Sequence, residues 1–253
     1  MIPAVLHYIW VGPRRMPPML IDALASWRAA MPEFRIACWN EDTIDFSEPF
    51  LRRAYALRRW STVADFVRLD VLAREGGFYL DTDVFAVRSF EPLRRHGCVV
   101  GFQSREPVVP SGDWVCNAVI GAAPGHPLLV EARASLLARF RGTENIGSET
   151  GPSLLTSLLR QRGLSSYADE PQEVGDVTVV PTDYFYPYRW DEEYDPSCIT
   201  PRTYAVHRWA ESWTGAVRSP PLWWKVLRRV VRFSPDPFFS MQRKLVERQR
   251  EPA

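Results

Sequence analysis

The chain has 253 residues, of which 46% are hydrophobic and 24% are charged, enough for one sizeable core or one core with an appendage. Its formal net charge is only +1, which excludes a globally basic nucleic-acid binder and a disordered acidic chain, so we expect no nucleic-acid partner. Only Lys225 and Lys244 are lysines, which leaves none for a phosphate-binding P-loop or a Schiff base before position 225.

The cysteines and the apolar runs indicate the cellular compartment in which the protein is expected. The four cysteines are widely spaced and form no C-x-x-C pair, so we expect free thiols in a reducing compartment. The first residues lack the basic start and long apolar run of a signal peptide, and no run reaches the roughly 18 apolar residues of a membrane span. We therefore expect a cytoplasmic protein.

Predicted strands and helices alternate along the chain. Apolar runs bounded by turn residues predict strands over residues 5–11, 35–39, 78–80, 98–102, 118–120 and 177–180. Helical spacing with flanking Pro or Gly predicts helices over residues 17–30, 48–75, 127–141 and 152–162. This alternation predicts an α/β fold with a mostly parallel central sheet.

The motif with the most chemistry follows the third predicted strand. Gly76 and Gly77 end a helix, and the apolar strand 78–80 then runs directly into Asp81-Thr82-Asp83. Because open α/β sheets bind ligands beyond the carboxyl ends of their strands, both carboxylates are placed to hold a hard cation such as Mg²⁺ or Mn²⁺. A solvated turn is the alternative for an isolated D-x-D, but carboxylates buried at a strand end are costly without a cation.

A second candidate pair lies on the preceding helix. Asp65 and Arg68 are separated by three residues and therefore share one helix face. They form either a surface ion pair or a site in which the acid grips sugar hydroxyls and the arginine orients it or meets phosphate.

In their order, these motifs resemble the DXD-containing sugar-binding region of family 32 glycosyltransferases, which is related to the glucosyltransferase domains of large clostridial toxins. The matching segments are residues 2–3, 7–12, 64–68, 76–77, 81–83, 117–120, 125–127, 150–152, 207 and 212–213. The resemblance implies a GT-A fold, a UDP- or GDP-sugar donor, Mn²⁺ or Mg²⁺, and retention of anomeric configuration. It also implies transfer of a hexose-type sugar to a saccharide or lipid-linked acceptor, as in polysaccharide biosynthesis.

The resemblance implies roles for individual residues. Asp83 is expected to bind the metal directly, Asp81 to contact the metal shell and the ribose, and His207 to complete the metal site. Trp10 would stack on the base. The residues expected to contact the nucleotide sugar are Ile9, Trp10, Asp65, Arg68, Asp81, Thr82, Asp83, Ser212 and Trp213, and those expected to be catalytic are Asp65, Arg68, Asp81 and Asp83. The chain departs from the family at Ala64, where the family commonly has a serine.

The end of the chain differs in charge from the rest. Residues 220–253 contain eight basic and three acidic residues, so we expect residues 1–219 to form the GT-A domain and residues 220–253 a basic tail. Within residues 220–239, Trp223 and several aliphatic residues fall on one helical face, opposite four cations. This pattern fits either a helix at the inner face of the cell membrane or a helix packed on the core.

Two rival functions are open at this stage. One is a phosphotransferase or phosphatase with Asp81 as the nucleophile, which the lack of a lysine before position 225 disfavours. The other is a sugar-binding membrane adaptor without turnover.

The aromatic residues in 184–190 are candidates either for an acceptor groove or for ordinary packing.

Overall fold

The computed structural model describes residues 1–109, 111–140 and 150–210. The helices are α1 (Pro18–Ala30), α2 (Pro49–Ala56), α3 (Trp60–Glu75), α4 (Pro127–Phe140) and α5 (Pro152–Gln161). The strands are β1 (Val5–Ile9), β2 (Arg35–Trp39), β3 (Gly77–Leu80), β4 (Val84–Ala86), β5 (Cys98–Phe102), β6 (Val115–Ala122), β7 (Gln172–Val174), β8 (Val177–Val180) and β9 (Ala205–His207). The predicted basic tail 220–253 lies outside the described residues, and the two-part domain organisation stays a prediction.

Seven strands form the main sheet, in the order β2-β1-β3-β6-β5-β8-β7. Strand β1 pairs in parallel with β2 and β3, and β5 pairs in parallel with β8. Strand β6 is antiparallel to β3 and β5, and β7 is antiparallel to β8. Five of the seven strands therefore run in the same direction, which confirms the predicted α/β class with a mostly parallel sheet.

Apolar layers cover both faces of this sheet. Along β3, Phe78 and Leu80 pack into one core cluster with Trp27 of α1, whereas Tyr79 packs into the other cluster with Phe66 of α3. This alternation is the two-residue period of a strand buried on both faces. Because both faces of β3 are covered, its carboxyl end is the point from which the chain leaves the core.

A small second sheet adjoins that exit point. Three residues separate β3 from β4, and β4 pairs antiparallel with β9, with Val84 opposite His207. The turn between β3 and β4 is therefore held beside a strand from the far end of the described chain.

The helical spacing over residues 48–75 predicts one helix, but the structure contains two. The first ends where the N–H of Arg58 donates to the carbonyl of Tyr55 and the N–H of Arg59 donates to the carbonyl of Ala54, both at 2.9 Å. This is the Schellman pattern, and Arg58 takes the left-handed conformation it requires, with φ of 55°. The prediction missed the break because glycine, the usual signal for this position, is absent.

The four cysteines are free, and Cys98 and Cys116 are buried. Among the described residues, no helix is both long and apolar enough to cross a membrane.

His7 joins three neighbouring strand segments, as expected for a packing residue. It is buried, its Nε2 lies 2.9 Å from the Gly76 carbonyl, and its Nδ1 accepts a 3.1 Å hydrogen bond from Trp39 Nε1. These partners fix a neutral ring with the proton on Nε2, because protonation of Nδ1 would set two donors against each other. Burial is the main cause that lowers the pKa of His7 from 6.5 to about 4.

We expect the pH dependence of stability to carry the signature of His7. Its folded-state pKa lies below its unfolded value, so the unfolded chain binds the extra proton and stability falls as the pH drops from about 6.5 towards 4. Between pH 7 and pH 5 the loss is about 2 kcal/mol. Urea unfolding at both pH values should show this loss in the parent and a smaller one in His7→Gln; equal losses in the two proteins would contradict the assignment.

Candidate active site

The D-x-D segment forms a tight turn at the carboxyl end of β3. The N–H of Asp81 donates to the Ala118 carbonyl at 2.8 Å, and the N–H of Val84 donates back to the Asp81 carbonyl at 3.0 Å. The chain then enters β4, whose pairing with β9 places His207 beside the turn. One ligand atom from each of Asp81, Asp83 and His207 lies within 4.8 Å of the other two.

Asp83 is held by the segment that follows β9. Its Oδ2 accepts a 2.7 Å hydrogen bond from the N–H of Ala210, and its carbonyl accepts one of 3.0 Å from the N–H of Arg208. Its Oδ1 lies 3.2 Å from Nε2 of His207. The backbone therefore fixes one carboxylate oxygen of Asp83 and leaves the other facing His207.

Asp83 and His207 shift each other's protonation. Burial opposes ionisation of Asp83, but His207 and the N–H of Ala210 outweigh it, so the pKa of Asp83 lies below its ordinary value. Burial likewise lowers the pKa of His207, but the neighbouring carboxylates outweigh it and raise the pKa above its ordinary value. The two groups therefore form an ion pair when both are charged.

The donor set of this cluster fits a divalent cation. Both ring nitrogens of His207 are buried and make no hydrogen bond of good geometry with the described residues. A buried imidazole without a well-formed hydrogen bond is costly, and a metal ion would satisfy one of its nitrogens. Two carboxylates with one imidazole are ligands suited to Mn²⁺, and Mg²⁺ prefers the carboxylates.

Arg68 is the buried centre of a second cluster. Its Nη2 lies 3.2 Å from Asp65 and 3.3 Å from Asp81, and its Nη1 donates a 2.6 Å hydrogen bond to the Asn117 carbonyl. Its guanidinium also lies over the ring of Tyr79, 4.4 Å from the ring centre. These carboxylates hold the pKa of Arg68 above its ordinary value despite burial, so its charge is permanent.

Asp65 is held by β6 and by the segment that precedes α5. Its Oδ1 accepts a 2.9 Å hydrogen bond from Asn117 Nδ2 on β6, and its Oδ2 accepts a 2.6 Å bond from the hydroxyl of Thr150. Gly151 packs so closely that an added Cβ would lie 2.9 Å from Asn117 Nδ2 and 3.4 Å from the Asp65 oxygens. The family resemblance included the segments of Asn117 and Thr150-Gly151, but it did not indicate that they hold Asp65.

Asp81 is shared between the two clusters. Its Oδ1 accepts a 2.7 Å hydrogen bond from the hydroxyl of Tyr79 and also faces Arg68. Burial raises the pKa of Asp81 above its ordinary value, and the charge of Asp83 adds to this effect against the attraction of Arg68. A cation beside Asp81 and Asp83 would relieve this repulsion.

Both clusters open into one cavity of about 460 Å³. The predicted site residues that line it are Ile9, Trp10, Asp65, Arg68, Asp81, Thr82, Asp83 and His207. The other two predicted contacts, Ser212 and Trp213, lie outside the described residues. The structure thus brings together every predicted site residue that it describes, and the roles of these residues stay predictions.

The aromatic stretch 184–190 divides between packing and the cavity. Phe185 and Tyr186 are fully buried, and the hydroxyl of Tyr186 accepts a hydrogen bond from the N–H of Val119. Trp190 instead lines the cavity with 51% of its surface exposed. Arg14, Arg58 and Trp209 also line the cavity, and no sequence motif pointed to them.

Comparisons with known proteins agree with this geometry. Residues 17–100 match the family model described as the glycosyltransferase sugar-binding region containing the DXD motif, and residues 121–220 match the alpha 1,4-glycosyltransferase conserved region. The chain is 28% identical over 181 residues to human alpha-1,4-N-acetylglucosaminyltransferase, covering 67% of this chain and 48% of the enzyme. It is 28% identical over 169 residues to lactosylceramide 4-alpha-galactosyltransferase of Mus musculus, covering 61% and 44%. The chain thus spans about half the length of these relatives.

A solved structure supports the fold. The glycosyltransferase GlyE of Streptococcus pneumoniae TIGR4 superposes with a TM-score of 0.52 at 10% sequence identity, covering 95% of this chain and 63% of that chain. The fold is that of the GT-A glycosyltransferases. The family models and the named relatives confirm the resemblance to family 32 glycosyltransferases, and the relatives are themselves named as glycosyltransferases.

We expect the Tyr79 hydroxyl to stabilise the ionised form of Asp81 for cation binding. Tyr79→Phe keeps the ring beneath Arg68 but removes the 2.7 Å hydrogen bond. Loss of one hydrogen bond to a buried charge costs about 1.5 kcal/mol, so Mn²⁺ affinity should fall roughly tenfold in calorimetric titration. Tyr184→Phe is the control, because Tyr184 does not line the cavity. Equal Mn²⁺ affinities in both variants would show that the hydroxyl does not act on the cation site.

Proposed function

We propose that this chain is a retaining, divalent-cation-dependent glycosyltransferase that moves a hexose-type sugar from a nucleotide diphosphate sugar to a saccharide or lipid-linked acceptor. The observation that carries the proposal is the joint opening of Asp81, Asp83 and His207, and of Asp65 with Arg68, into one cavity. One cluster suits a cation and its diphosphate, and the other suits sugar hydroxyls.

In this proposal each of the two clusters binds a different part of the nucleotide-sugar donor. Asp81, Asp83 and His207 would hold Mn²⁺ or Mg²⁺, which supplies positive charge to the diphosphate leaving group. Asp65, fixed by Asn117 and Thr150, would accept hydrogen bonds from the donor sugar. Arg68 would set the positions of both Asp65 and Asp81, because its guanidinium contacts each of them.

Trp10 is proposed to stack on the nucleotide base of the donor. Trp10 directly follows β1, is half-buried and lines the cavity, while its Nε1 donates to the Arg14 carbonyl at 2.9 Å. This hydrogen bond would fix the indole plane for stacking on a uracil or guanine. Thr82, in the turn between the two aspartates, and Ile9 complete the predicted donor contacts within the described residues.

Retention is proposed from the family resemblance, and the cavity carboxylates bear on its route. Retention needs either a protein nucleophile on the far face of the sugar or attack by the acceptor on the face that the leaving group departs from. Among the described residues, the carboxylates that line the cavity are those of Asp65, Asp81 and Asp83, and each has an oxygen held by a hydrogen bond. Since all three have a proposed role in holding the cation or the donor sugar, we propose same-face attack within an ion pair.

The acceptor class is proposed from the names of the relatives and from Trp190. One relative is named for lactosylceramide, a glycolipid, and both are named as 4-alpha or alpha-1,4 transferases. The exposed indole of Trp190 at the cavity suits stacking on a sugar ring. We therefore propose an acceptor with a terminal sugar and an α-linkage in the product.

The rival functions have less support. A phosphoaspartate mechanism needs a lysine to balance the charge around the phosphoaspartate, and no lysine precedes position 225. An adaptor that only binds sugar would not require a buried imidazole and two carboxylates grouped as possible metal ligands.

Donor hydrolysis is the first test of the proposal. The full chain, incubated with a panel of UDP- and GDP-sugars and Mn²⁺, should release nucleoside diphosphate from one donor, and a chelator should abolish the release. Asp83→Asn keeps the shape but removes the charge, so release should fall at least about a hundredfold. Asp70→Asn is the control, because Asp70 pairs with Arg74 and Arg133 away from the cavity. Mn²⁺-independent release, or full release by Asp83→Asn, would sink the proposal.

The stereochemistry can be followed directly. Proton NMR of the first product from an α-linked donor should show an α-anomeric signal before mutarotation, because same-face attack retains configuration. A β-anomeric first product would show inversion and would contradict the proposed mechanism without removing the cation requirement.

A further inference from the structure

Two arginines that the donor clusters do not use also line the cavity. Arg14 lies in the loop after β1, and Arg58 lies at the corner between α2 and α3; both are exposed. Neither guanidinium makes an ion pair or hydrogen bond with another described residue, whereas Arg68 in the same cavity faces Asp65 and Asp81. The cavity therefore has an acidic cation-binding cluster and, separately, two unneutralised positive charges.

The backbone conformation of Arg58 is unfavourable for arginine and therefore indicates a functional role for its side chain. Arg58 occupies the C′ position of the Schellman motif that ends α2, with φ of 55°. Glycine is the usual residue at this position, because the left-handed conformation crowds the Cβ of any other residue except asparagine or aspartate. An arginine here carries a conformational cost that glycine would not, and within the part of the chain that the structure describes no ion pair or hydrogen bond of its exposed guanidinium offsets that cost.

The surrounding contacts hold this corner in place. Trp60, two residues further on, packs against Gly12 so closely that an added Cβ would lie 3.0 Å from the indole. Glu41 Oε1 accepts hydrogen bonds from the N–H of Gly12 at 2.7 Å and from the hydroxyl of Tyr55 at 2.9 Å. The loop of Arg14 and the corner of Arg58 are thus tied together, and strained residues held in this way cluster at ligand sites.

We propose that Arg58, together with Arg14, binds a phosphate group of a ligand in this cavity. The planar guanidinium is suited to phosphate oxygens, and an exposed cation without a partner pays little to exchange water for an anion. The proposal rests on the proposed function only for the source of that phosphate, which is either the diphosphate of the donor or a phosphate on the acceptor.

Binding measurements on the full chain separate these sources. The probes are UDP and GDP, the matching nucleosides, and inorganic phosphate added to protein saturated with the nucleoside diphosphate. Each probe is titrated into the protein calorimetrically in the presence of Mg²⁺. The variants are Arg58→Gln, which removes the charge, and Arg58→Gly, which also relieves the backbone. Arg59→Gln is the matched control, because this exposed neighbour does not line the cavity.

If the phosphate belongs to the donor, Arg58→Gln should weaken nucleoside diphosphate binding about fivefold, less so at high salt, and should leave nucleoside binding unchanged. If the phosphate belongs to the acceptor, Arg58→Gln should leave diphosphate binding unchanged and should abolish the binding of inorganic phosphate to the saturated protein. Either result supports the proposal. It is overturned if no phosphate-bearing probe binds the parent, or if Arg58→Gln matches Arg59→Gln with every probe.

Arg58→Gly separates binding from folding. It should raise the melting temperature by about 2–4 °C, because glycine relieves the left-handed strain, yet weaken phosphate binding as Arg58→Gln does. A destabilised Arg58→Gly with intact phosphate binding would overturn the proposal. These titrations need no turnover, so a chain that binds phosphate through Arg58 but transfers no sugar would refute the proposed function alone.

Discussion

The buried guanidinium of Arg68 is the interaction on which both the core and the candidate site depend. It leaves α3, lies over a ring of β3, donates to a carbonyl of β6, and faces the carboxylates of Asp65 and Asp81. Removing a buried charge that faces two opposite charges leaves both of them without this partner, which is far more costly than losing a surface pair. The contacts that join α3 to the sheet are therefore the same contacts that aim the site carboxylates into the cavity.

The charge left over by this arrangement matches the proposed cation. Within the two clusters, leaving aside the two exposed arginines of the cavity, three carboxylates face the cavity and Arg68 neutralises one, so two negative charges remain when His207 is neutral. A doubly charged cation would balance them, and it would take the place of the proton that the neighbouring carboxylates favour on His207. The pKa of Asp81 is raised and that of Asp83 is lowered. The two differ because Asp83 is the carboxylate that His207 and the N–H of Ala210 contact directly.

The sequence predicted those parts of the fold that depend on local patterns. The apolar run before Asp81 and the two glycines before it located β3 and the D-x-D turn, and helical spacing located Asp65 and Arg68 on one face. The pairing of β4 with β9 could not be read in the same way, because each has only three residues and their contact is long-range. His207 was assigned from the family resemblance, and only this pairing explains why it meets Asp83. The hold of Asn117 and Thr150 on Asp65 was missed for the same reason.

The helix break at Arg58 shows a different limit of sequence patterns. Apolar spacing runs through residues 48–75 without interruption, and a break is normally announced by glycine, so an arginine in the left-handed conformation has no local signal. Among the described residues, Arg58 and Trp209 are the non-glycine residues with positive φ, and both line the cavity. Trp209 takes this conformation between His207 and Ala210, the two residues that hold the Asp83 carboxylate, and its ring lies 4.2 Å from that of His207. Glycine would be more stable than arginine or tryptophan in this backbone conformation. Side chains that occupy such positions at a conformational cost are typical of ligand sites, and both of these line the cavity.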